Sequence, residues 1–296
     1  MPARTTFENK FYELFHAYFQ KAEKYRRWNV YEDIPWHEAK NPDPEVAKLV
    51  ESFYAVELYL PDYVRHIMGM VRKSRGRAWF QANWGYEELK HSLALERWLM
   101  ASGARTEEQL QDWEGQVLDE NWVLHYGDEP LLSLCYTVLQ EFATGLTYRR
   151  LKEFSEANDK SDPALQATLS LLHRDEIGHF NFFKDGLKLY MDIDRDRVLE
   201  AMTHVLMSFH MPAADLIPEW SSRDALIKDW NVMTDRIFLS DVVKPVMKTL
   251  GVDHQEMRAV RKRLAEQKNK APVEVTERVV IAIETRGRTD SVKPAA

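Results

Sequence analysis

The 296-residue sequence contains a single cysteine, Cys135, so it cannot form an intrachain disulfide. It lacks the run of about 18 apolar residues that would predict a membrane span; the longest candidate, 131–146, is interrupted by Glu141. Its first residues mix charged and aromatic side chains, unlike a signal peptide. The net charge of −7 gives no reason to expect nucleic-acid binding. We therefore expect a cytoplasmic protein.

No segment is rich enough in Gly, Ser or Pro to divide the chain, and helical periodicity dominates it. We expect one helical domain over 1–270 and a C-terminal extension, 271–296, that is partly disordered. Within this extension, residues 273–286 fit either a strand or a short helix. Helices are predicted at 7–25, 43–73, 78–102, 129–157, 162–190, 194–208, 223–250 and 252–269.

The pattern Glu-x-x-His, which places two side chains on one helix face, occurs three times. Glu13 and His16 lie opposite the apolar stripe of their segment, so we interpret this pair as solvent-exposed and accidental. The other two pairs occupy positions within an apolar stripe. A buried carboxylate without a partner is costly, so each of these pairs predicts a binding partner. They are Glu88 with His91 and Glu176 with His179.

Two single carboxylates, Glu57 and Glu141, also interrupt apolar stripes. The midpoint between Glu57 and Glu88 falls beside the turn signal KSRGR. The midpoint between Glu141 and Glu176 falls within EANDKSDP. Helices joined by a short loop run antiparallel, so each hairpin brings one Glu level with one Glu-x-x-His pair. Two such hairpins predict a di-iron or di-manganese carboxylate centre in a four-helix bundle. Carboxylate and imidazole ligands without thiolate suit Fe or Mn better than structural Zn.

The chain resembles the acyl-[acyl carrier protein] desaturases, which are soluble, ferritin-like di-iron enzymes. The resemblance covers about residues 28–213 and is carried by VELYLPDYV, WGYEELKHS, LQEFATGL and HRDEIGHF, with weaker support from YRRWNVYEDIPW and FHMPA. It implies an all-α fold with a ferritin-like four-helix bundle core and additional helices.

The resemblance also implies a function and its residues. It implies an O2-dependent desaturase that introduces a double bond into a fatty acyl chain bound to acyl carrier protein. Electrons would come from ferredoxin, and the protein would be a homodimer. Thr144 would lie on the oxygen-binding side of two iron ions, and Asp175 and Trp28 would connect a ligand histidine to the surface. The implied iron ligands are Glu57, Glu88, His91, Glu141, Glu176 and His179.

Three positions depart from the family pattern: Leu89-Lys90 replaces Asn-Arg, Ile177-Gly178 replaces Lys-Arg, and Phe142 replaces Arg. They leave the carrier, the chain length and the double-bond position open. One alternative is another di-iron oxygenase of this fold, such as an N-oxygenase with an additional histidine ligand. Another is a ferritin-like iron-binding protein without enzymatic activity. Histidines available to an N-oxygenase are His173, His204 and His210.

Two further features bear on the site. Pro61 cannot donate a hydrogen bond to the carbonyl of Glu57, so it either distorts the backbone beside that residue and opens room at the metal site, or is merely tolerated there. An acidic carrier protein would dock on a basic surface, and two clusters are candidates for it. They are Arg72, Lys73, Arg75 and Arg77, and Arg258, Arg261, Lys262 and Arg263.

Overall fold

A computed structural model describes residues 6–40, 43–124, 126 and 129–267 of the chain. The regular elements in these residues are all helical, which confirms the all-α prediction. None of the described helices is long and apolar enough to cross a membrane. The predicted extension 271–296, with its undecided segment 273–286, lies outside the described residues.

The helices follow one another through short loops. The first seven are α1 (Thr6–Tyr25), α2 (Pro44–Leu58), α3 (Leu60–Val71), α4 (Arg75–Ala101), α5 (Glu107–Val117), α6 (Pro130–Ala157) and α7 (Pro163–Met191). After these come α8 (Arg195–Ser208), α9 (Trp220–Asp229), α10 (Asp235–Ile237), a π-helical turn (Phe238–Val243), α11 (Lys244–Thr249) and α12 (His254–Gln267).

Two helical hairpins form the core: α2 and α3 return through α4, and α6 returns through α7. Proline at the first helical position and an aspartate cap start two of these helices. The Asp43 side chain accepts a hydrogen bond from the N–H of Glu45, and that of Asp162 accepts one from Leu165. The loops lie at 72–74 and 158–162. The second coincides with its turn signal, whereas α4 begins at Arg75, inside the signal KSRGR.

Close helix packing at the level of the predicted ligands depends on Gly145. A Cβ atom at Gly145 of α6 would lie 3.0 Å from the Cβ of Glu176 on α7. A similar approach occurs where α1 covers α4, because a Cβ at Gly76 would lie 2.5 Å from the carbonyl oxygen of Phe11. Glycine at these positions brings the helices that carry the polar residues into direct contact.

The helix predicted over 43–73 is interrupted at Tyr59, whose φ and ψ are −78° and 7°. Pro61 provides the physical reason, because it has no N–H to donate to the carbonyl of Glu57. Helix α2 therefore ends at Leu58, one residue after Glu57, and α3 begins at Leu60. The helix is thus broken beside this residue, which favours a distortion over a merely tolerated proline.

The single helix predicted over 223–250 is wrong. Asn231 has a positive φ of 50°, which ends α9, and Thr234 starts α10 by accepting a hydrogen bond from the N–H of Ile237. The π-helical turn follows just before Pro245, which cannot donate to the carbonyl one helical turn back. Helix α5 was not predicted, although Thr106 and Gln109 form a capping box at its start.

Candidate metal centre

The six predicted ligand side chains meet in the bundle core and are all buried. Each of two groups of four offers ligand atoms that lie within 4.8 Å of one another. Glu88 and Glu176 belong to both groups, so two cation positions would share these two carboxylates. One group is Glu57, Glu88, His91 and Glu176, and the other is Glu88, Glu141, Glu176 and His179.

Both imidazole rings present Nδ1 to this cluster. Nδ1 of His91 lies 2.9 Å from Glu88 and 3.4 Å from Glu176. Nδ1 of His179 lies 2.9 Å from Glu88 and 3.3 Å from Glu141. The two rings thus converge from opposite helices, as ligands of neighbouring metal ions do in four-helix di-metal proteins.

In the absence of a cation, the close packing of the cluster shifts the pKa values of three of its carboxylates in opposite directions. Burial, followed by the proximity of Glu88, raises the pKa of Glu57 well above its ordinary value. Burial, followed by Glu176, does the same to Glu141. Burial alone would also raise the pKa of Glu88, but His91 and His179 lower it to about 2. Four carboxylates this close cannot all ionise cheaply, so a pair of divalent cations would compensate them.

Several buried atoms of the cluster lie close to an oppositely charged atom but form no well-aligned hydrogen bond. Nδ1 of His91 and of His179 and one oxygen each of Glu141 and Glu176 are in this state. Buried polar atoms normally have a well-aligned partner, and these four atoms are placed so that a cation could be that partner. Because imidazole nitrogen and carboxylate oxygen are good donors for Fe and Mn, the residues fit a di-metal centre.

Glu87 is a functional candidate that the sequence analysis missed. Its Oε2 lies 2.9 Å from Nε2 of His179, on the ring edge opposite the cluster. Arg27 donates to Glu87 at 2.6 Å, and the hydroxyl of Tyr18 donates to it as well. The available signal was a repeated acidic residue immediately before Glu-x-x-His, since Asp175 precedes Glu176 as Glu87 precedes Glu88.

Asp175 is the counterpart of Glu87 on α7. Its Oδ2 lies 3.7 Å from Nε2 of His91 and accepts a hydrogen bond from the indole of Trp28 at 2.6 Å. Arg26 donates to its other oxygen at 3.3 Å. Both Trp28 and Asp175 are buried. A continuous contact path therefore runs from Trp28 through Asp175 to a histidine of the cluster.

Thr144 lies three residues after Glu141 and lines the cavity described below. Its hydroxyl donates to the carbonyl of Gln140 at 3.0 Å, the common bond of a threonine inside a helix, and accepts from the Gln140 side chain. The side chain thus lies about one helical turn from Glu141, while its proton is engaged by the backbone.

Two further donors reach the outer carboxylates. The buried phenol of Tyr148 donates to Oε1 of Glu57 at 2.6 Å. The indole of Trp84 donates to Oε1 of Glu141 at 3.2 Å. The first sits on α6 and the second on α4, so each donor crosses from another helix to fix a carboxylate in place.

A cavity of about 880 Å³ extends along α6 and reaches the cluster. Along α6 its wall runs from Ser133 to Tyr148, a rise of about 22 Å. Glu57 and Glu88 open onto it. The rest of the lining is largely apolar and includes the buried pair Tyr63 and Trp122, whose ring centroids lie 4.7 Å apart. Exposed charged residues on its wall are Asp215, Lys228, Asp235, Arg236 and Lys244.

The cations on this cavity wall are not those of the two predicted basic clusters. Arg77, for example, donates to Glu8 and to the hydroxyl of Tyr190, both at 2.7 Å, away from the cavity. Arg75 stacks on the ring of Trp79. Among the described residues, the exposed cations beside the cavity lie on or next to α9, α10 and α11 instead.

The histidines considered for an N-oxygenase lie outside both groups of potential ligands in the described part of the chain. His173 uses Nδ1 to contact the carbonyl of Gly145 at 2.7 Å. His204 packs against Tyr126, and His210 contacts the carbonyl of Ser208 at 3.0 Å. Glu13 and His16 are exposed on α1, opposite the apolar stripe, as predicted.

Residues 8–289 match the family described as fatty acid desaturase. The chain belongs to this family. Over 275 residues it is 26% identical to DesA1 of Mycobacterium tuberculosis, provisionally named an acyl-[acyl-carrier-protein] desaturase, with 82% of this chain and 79% of DesA1 covered. Family membership makes the protein an oxidoreductase of the desaturase type and confirms the resemblance seen in the sequence.

Solved structures agree with the fold. DesA2 of M. tuberculosis H37Rv, provisionally named an acyl-ACP desaturase, superposes with a TM-score of 0.62 at 15% identity, covering 86% of this chain and 98% of DesA2. A variant R2-like ligand-binding oxidase with a reconstituted Mn/Fe cofactor superposes with a TM-score of 0.54 at 14% identity, covering 88% of this chain and 96% of the oxidase. These likenesses confirm the ferritin-like bundle with additional helices.

Proposed function

We propose that this fatty acid desaturase introduces a double bond into a saturated acyl chain carried by acyl carrier protein, using dioxygen and two iron ions. The observation that carries the proposal is the cavity along α6. It is long and largely apolar, and two carboxylates of the candidate metal cluster, Glu57 and Glu88, open onto it. An extended alkyl chain in this space would pass directly beside the metal ligands.

The proposed ligands are the six buried residues already grouped by distance. Glu57 and His91 would hold one ion, Glu141 and His179 the other, while Glu88 and Glu176 would be shared. When bound, two iron ions supply the redox chemistry that removes hydrogen from an unactivated C–H bond with dioxygen. The carboxylate and imidazole donors fit iron, and they would also accept manganese.

The protein's own residues would position the acyl chain, exclude water from the cavity and provide a path for electrons. The largely apolar walls hold the chain and exclude water, so that its carbon atoms rather than solvent face the cluster. Trp28 and Asp175 would connect His91 to the electron donor. Thr144 would lie on the oxygen-binding side, where its hydroxyl, which now donates to the Gln140 carbonyl, would supply a proton donor.

Exposed cations beside the cavity suggest where the carrier protein would dock and which way its acyl chain would point. Arg236 and Lys244 are exposed beside the cavity and would contact an acidic carrier protein, whereas the third cation, Lys228, is paired with Asp224. The buried rings of Tyr63 and Trp122 would then receive the methyl end of the acyl chain. Ferredoxin as the electron donor, a homodimeric assembly and a cytoplasmic location complete the proposal, and the free thiol of Cys135 suits a reducing compartment.

Product analysis tests the activity. The iron-loaded protein is incubated with ferredoxin, its reductase, dioxygen and a panel of acyl carrier proteins bearing chains of different length. Mass spectrometry should find acyl products that have lost two hydrogens. Products that have gained one oxygen instead would show an oxygenase, and an unchanged panel with intact metal would contradict the carrier-bound substrate.

A further inference from the structure

The two halves of the candidate centre have unequal surroundings. The Glu141 half consists of Glu141 and His179, and the Glu57 half consists of Glu57 and His91; both share the remaining two carboxylates. This inference rests on the proposed two-metal site. It concerns the residues behind the ligands, which determine how strongly each half donates to a cation.

The first difference is in the partner of each histidine. Nε2 of His179 lies 2.9 Å from Glu87, within hydrogen-bonding distance. Nε2 of His91 lies 3.7 Å from Asp175, beyond it. A carboxylate that accepts the outer N–H of a ligand imidazole makes the ring a better metal donor. Arg27 holds Glu87 in place at 2.6 Å, so the better donor is His179.

The second difference is in the partner of each outer carboxylate. The Tyr148 phenol donates to Glu57 at 2.6 Å, whereas the Trp84 indole reaches Glu141 at the longer distance of 3.2 Å. A short hydrogen bond to an ionised group is a strong one. It draws negative charge away from Glu57 and engages one of its two oxygens. Glu57 therefore offers less charge to a cation than Glu141 does.

Both differences act in the same direction. We propose that the two metal positions bind in sequence, with the Glu141 half taking the first divalent cation tightly and the Glu57 half taking the second more weakly. The phenol of Tyr148 and the carboxylate of Glu87 are the positioning residues that create this inequality. The weaker half faces the cavity, since Glu57 and Tyr148 both line it.

Titration with Co(II) under anaerobic conditions tests the order of binding without relying on activity. Visible absorption reports the coordination of each ion, and elemental analysis after desalting gives the stoichiometry. The wild-type protein should bind two ions in two phases whose affinities differ by tenfold or more. The Glu57→Gln variant should retain the first phase and lose the second, and Glu141→Gln should lose the first.

Two more variants address the positioning residues. Glu87→Gln should weaken the first phase about 10–100-fold, the usual effect of losing a partner behind a metal ligand. Tyr148→Phe should strengthen the second phase, because Glu57 regains its full charge. Tyr54→Phe is the matched control: this buried phenol also donates to a carboxylate, that of Glu114, outside the cluster. It should leave both phases unchanged.

The outcomes separate this inference from the function beneath it. Two ions bound with equal affinity, a reversed order in the Gln variants, or a second phase weakened by Tyr148→Phe would overturn the sequential inference while leaving the two-metal site intact. Absence of bound cobalt in correctly folded wild-type protein would contradict the metal centre itself, and the inference with it. Helical circular dichroism establishes folding for every variant.

Discussion

The indole N–H of Trp28 donates to Oδ2 of Asp175 at 2.6 Å, and both residues are buried. They come from distant parts of the chain, the segment after α1 and the middle of α7. The same Asp175 oxygen lies 3.7 Å from Nε2 of His91. The contact therefore joins the loop after α1 to the candidate metal centre through one carboxylate.

Replacing Trp28 should slow electron delivery without removing metal. Trp28→Phe keeps an aromatic ring but removes the donor to Asp175. We expect normal iron content and slower reduction of the iron by ferredoxin, measured by stopped-flow spectroscopy. Trp230→Phe is the control, because this buried indole also donates to a carboxylate, Glu45 at 3.1 Å, outside the cluster. Equal reduction rates in the two variants would remove Trp28 from the electron path.

Metal content should depend on Glu141 and not on Glu13. The wild-type protein should contain close to two iron ions per chain after iron loading. Glu141→Ala should lose at least one ion and the activity, yet remain helical, because the change also removes a buried carboxylate that lacks a cation. Glu13→Ala should keep all its iron, since Glu13 is exposed on α1. Loss of iron in that control would contradict the assignment of the ligand cluster.

The metal-free protein should be most stable in mild acid. The pKa values of His91 and His179 are raised well above 6.5: burial opposes the shift, but neighbouring acidic groups, Glu88 for His91 and Tyr18 and Glu88 for His179, outweigh it. A raised pKa means that the folded state binds protons more tightly, so this stability is lost as the pH rises through the raised pKa values. The pKa values of Glu57 and Glu141 are also raised, so their contribution to stability is likewise lost as the pH rises.

Glu88 acts in the opposite sense, because its pKa falls from 4.5 to about 2 and its contribution is lost as the pH drops through that range. Thermal unfolding of the metal-free protein should therefore give a maximum Tm near pH 4.5, because the contributions of Glu57 and Glu141 are lost above this pH and that of Glu88 is lost below it. Metal binding at neutral pH should release protons, which calorimetry in buffers of different ionisation enthalpy would detect. A Tm of metal-free protein that rises steadily above pH 7 would contradict the assignment.

The hydroxyl of Thr144 should matter for coupling rather than for folding. Thr144→Val keeps the shape and removes a hydroxyl that bonds only within its own helix turn. We expect normal iron content, a stability change below about 1 kcal/mol, slower turnover, and more hydrogen peroxide released per dioxygen consumed. Wild-type turnover with wild-type coupling would make Thr144 a packing residue.

Filling the α3 side of the cavity should shorten the accepted acyl chain. Ile67 lines the cavity and is only half-buried, so Ile67→Phe can add volume there without overfilling the core. We expect unchanged iron content and a rise in KM that grows with acyl chain length. Met70→Phe, a half-buried position of α3 away from the cavity lining, is the control. A KM that rises equally for short and long chains would place the methyl end elsewhere.

The grouping of the six proposed ligands was predictable from sequence because two regularities reinforce each other. Helical periodicity assigns Glu88 and His91 to one buried face, and hairpin symmetry then sets Glu57 at the same depth. The cavity was not predictable, since its walls come from helices distant in sequence and use the same apolar residues as the core. The division of 223–250 was missed because Asn231 adopts a backbone conformation that composition alone rarely reveals.

Glu87 and Tyr148 mark another limit of sequence reasoning. Glu87 is adjacent to Glu88, so its side chain points about 100° away from that of Glu88 around the helix. The sequence therefore places it at the edge of the polar face. Its partners Tyr18 and Arg27 belong to α1 and the segment after it, and no local pattern connects them to α4. Tyr148 occupies a position in the apolar stripe of its helix, so the sequence predicts a core residue, and the side chain is indeed buried in the core. Only the packing of α6 against α2 reveals the carboxylate in front of it.

The break at Tyr59 separates two helices, α2 and α3, that are packed into the core to very different extents. Ten side chains of α2 are buried, including Glu57, whereas α3 buries only Tyr63. Segments with few buried contacts open locally at low free energy, so the backbone amides of α3 should exchange with deuterium well before those of α2. Glu57 would stay in place during such openings. The cavity wall formed by Tyr63 and Ile67 could yield to an entering chain while the ligands beside it remain rigid.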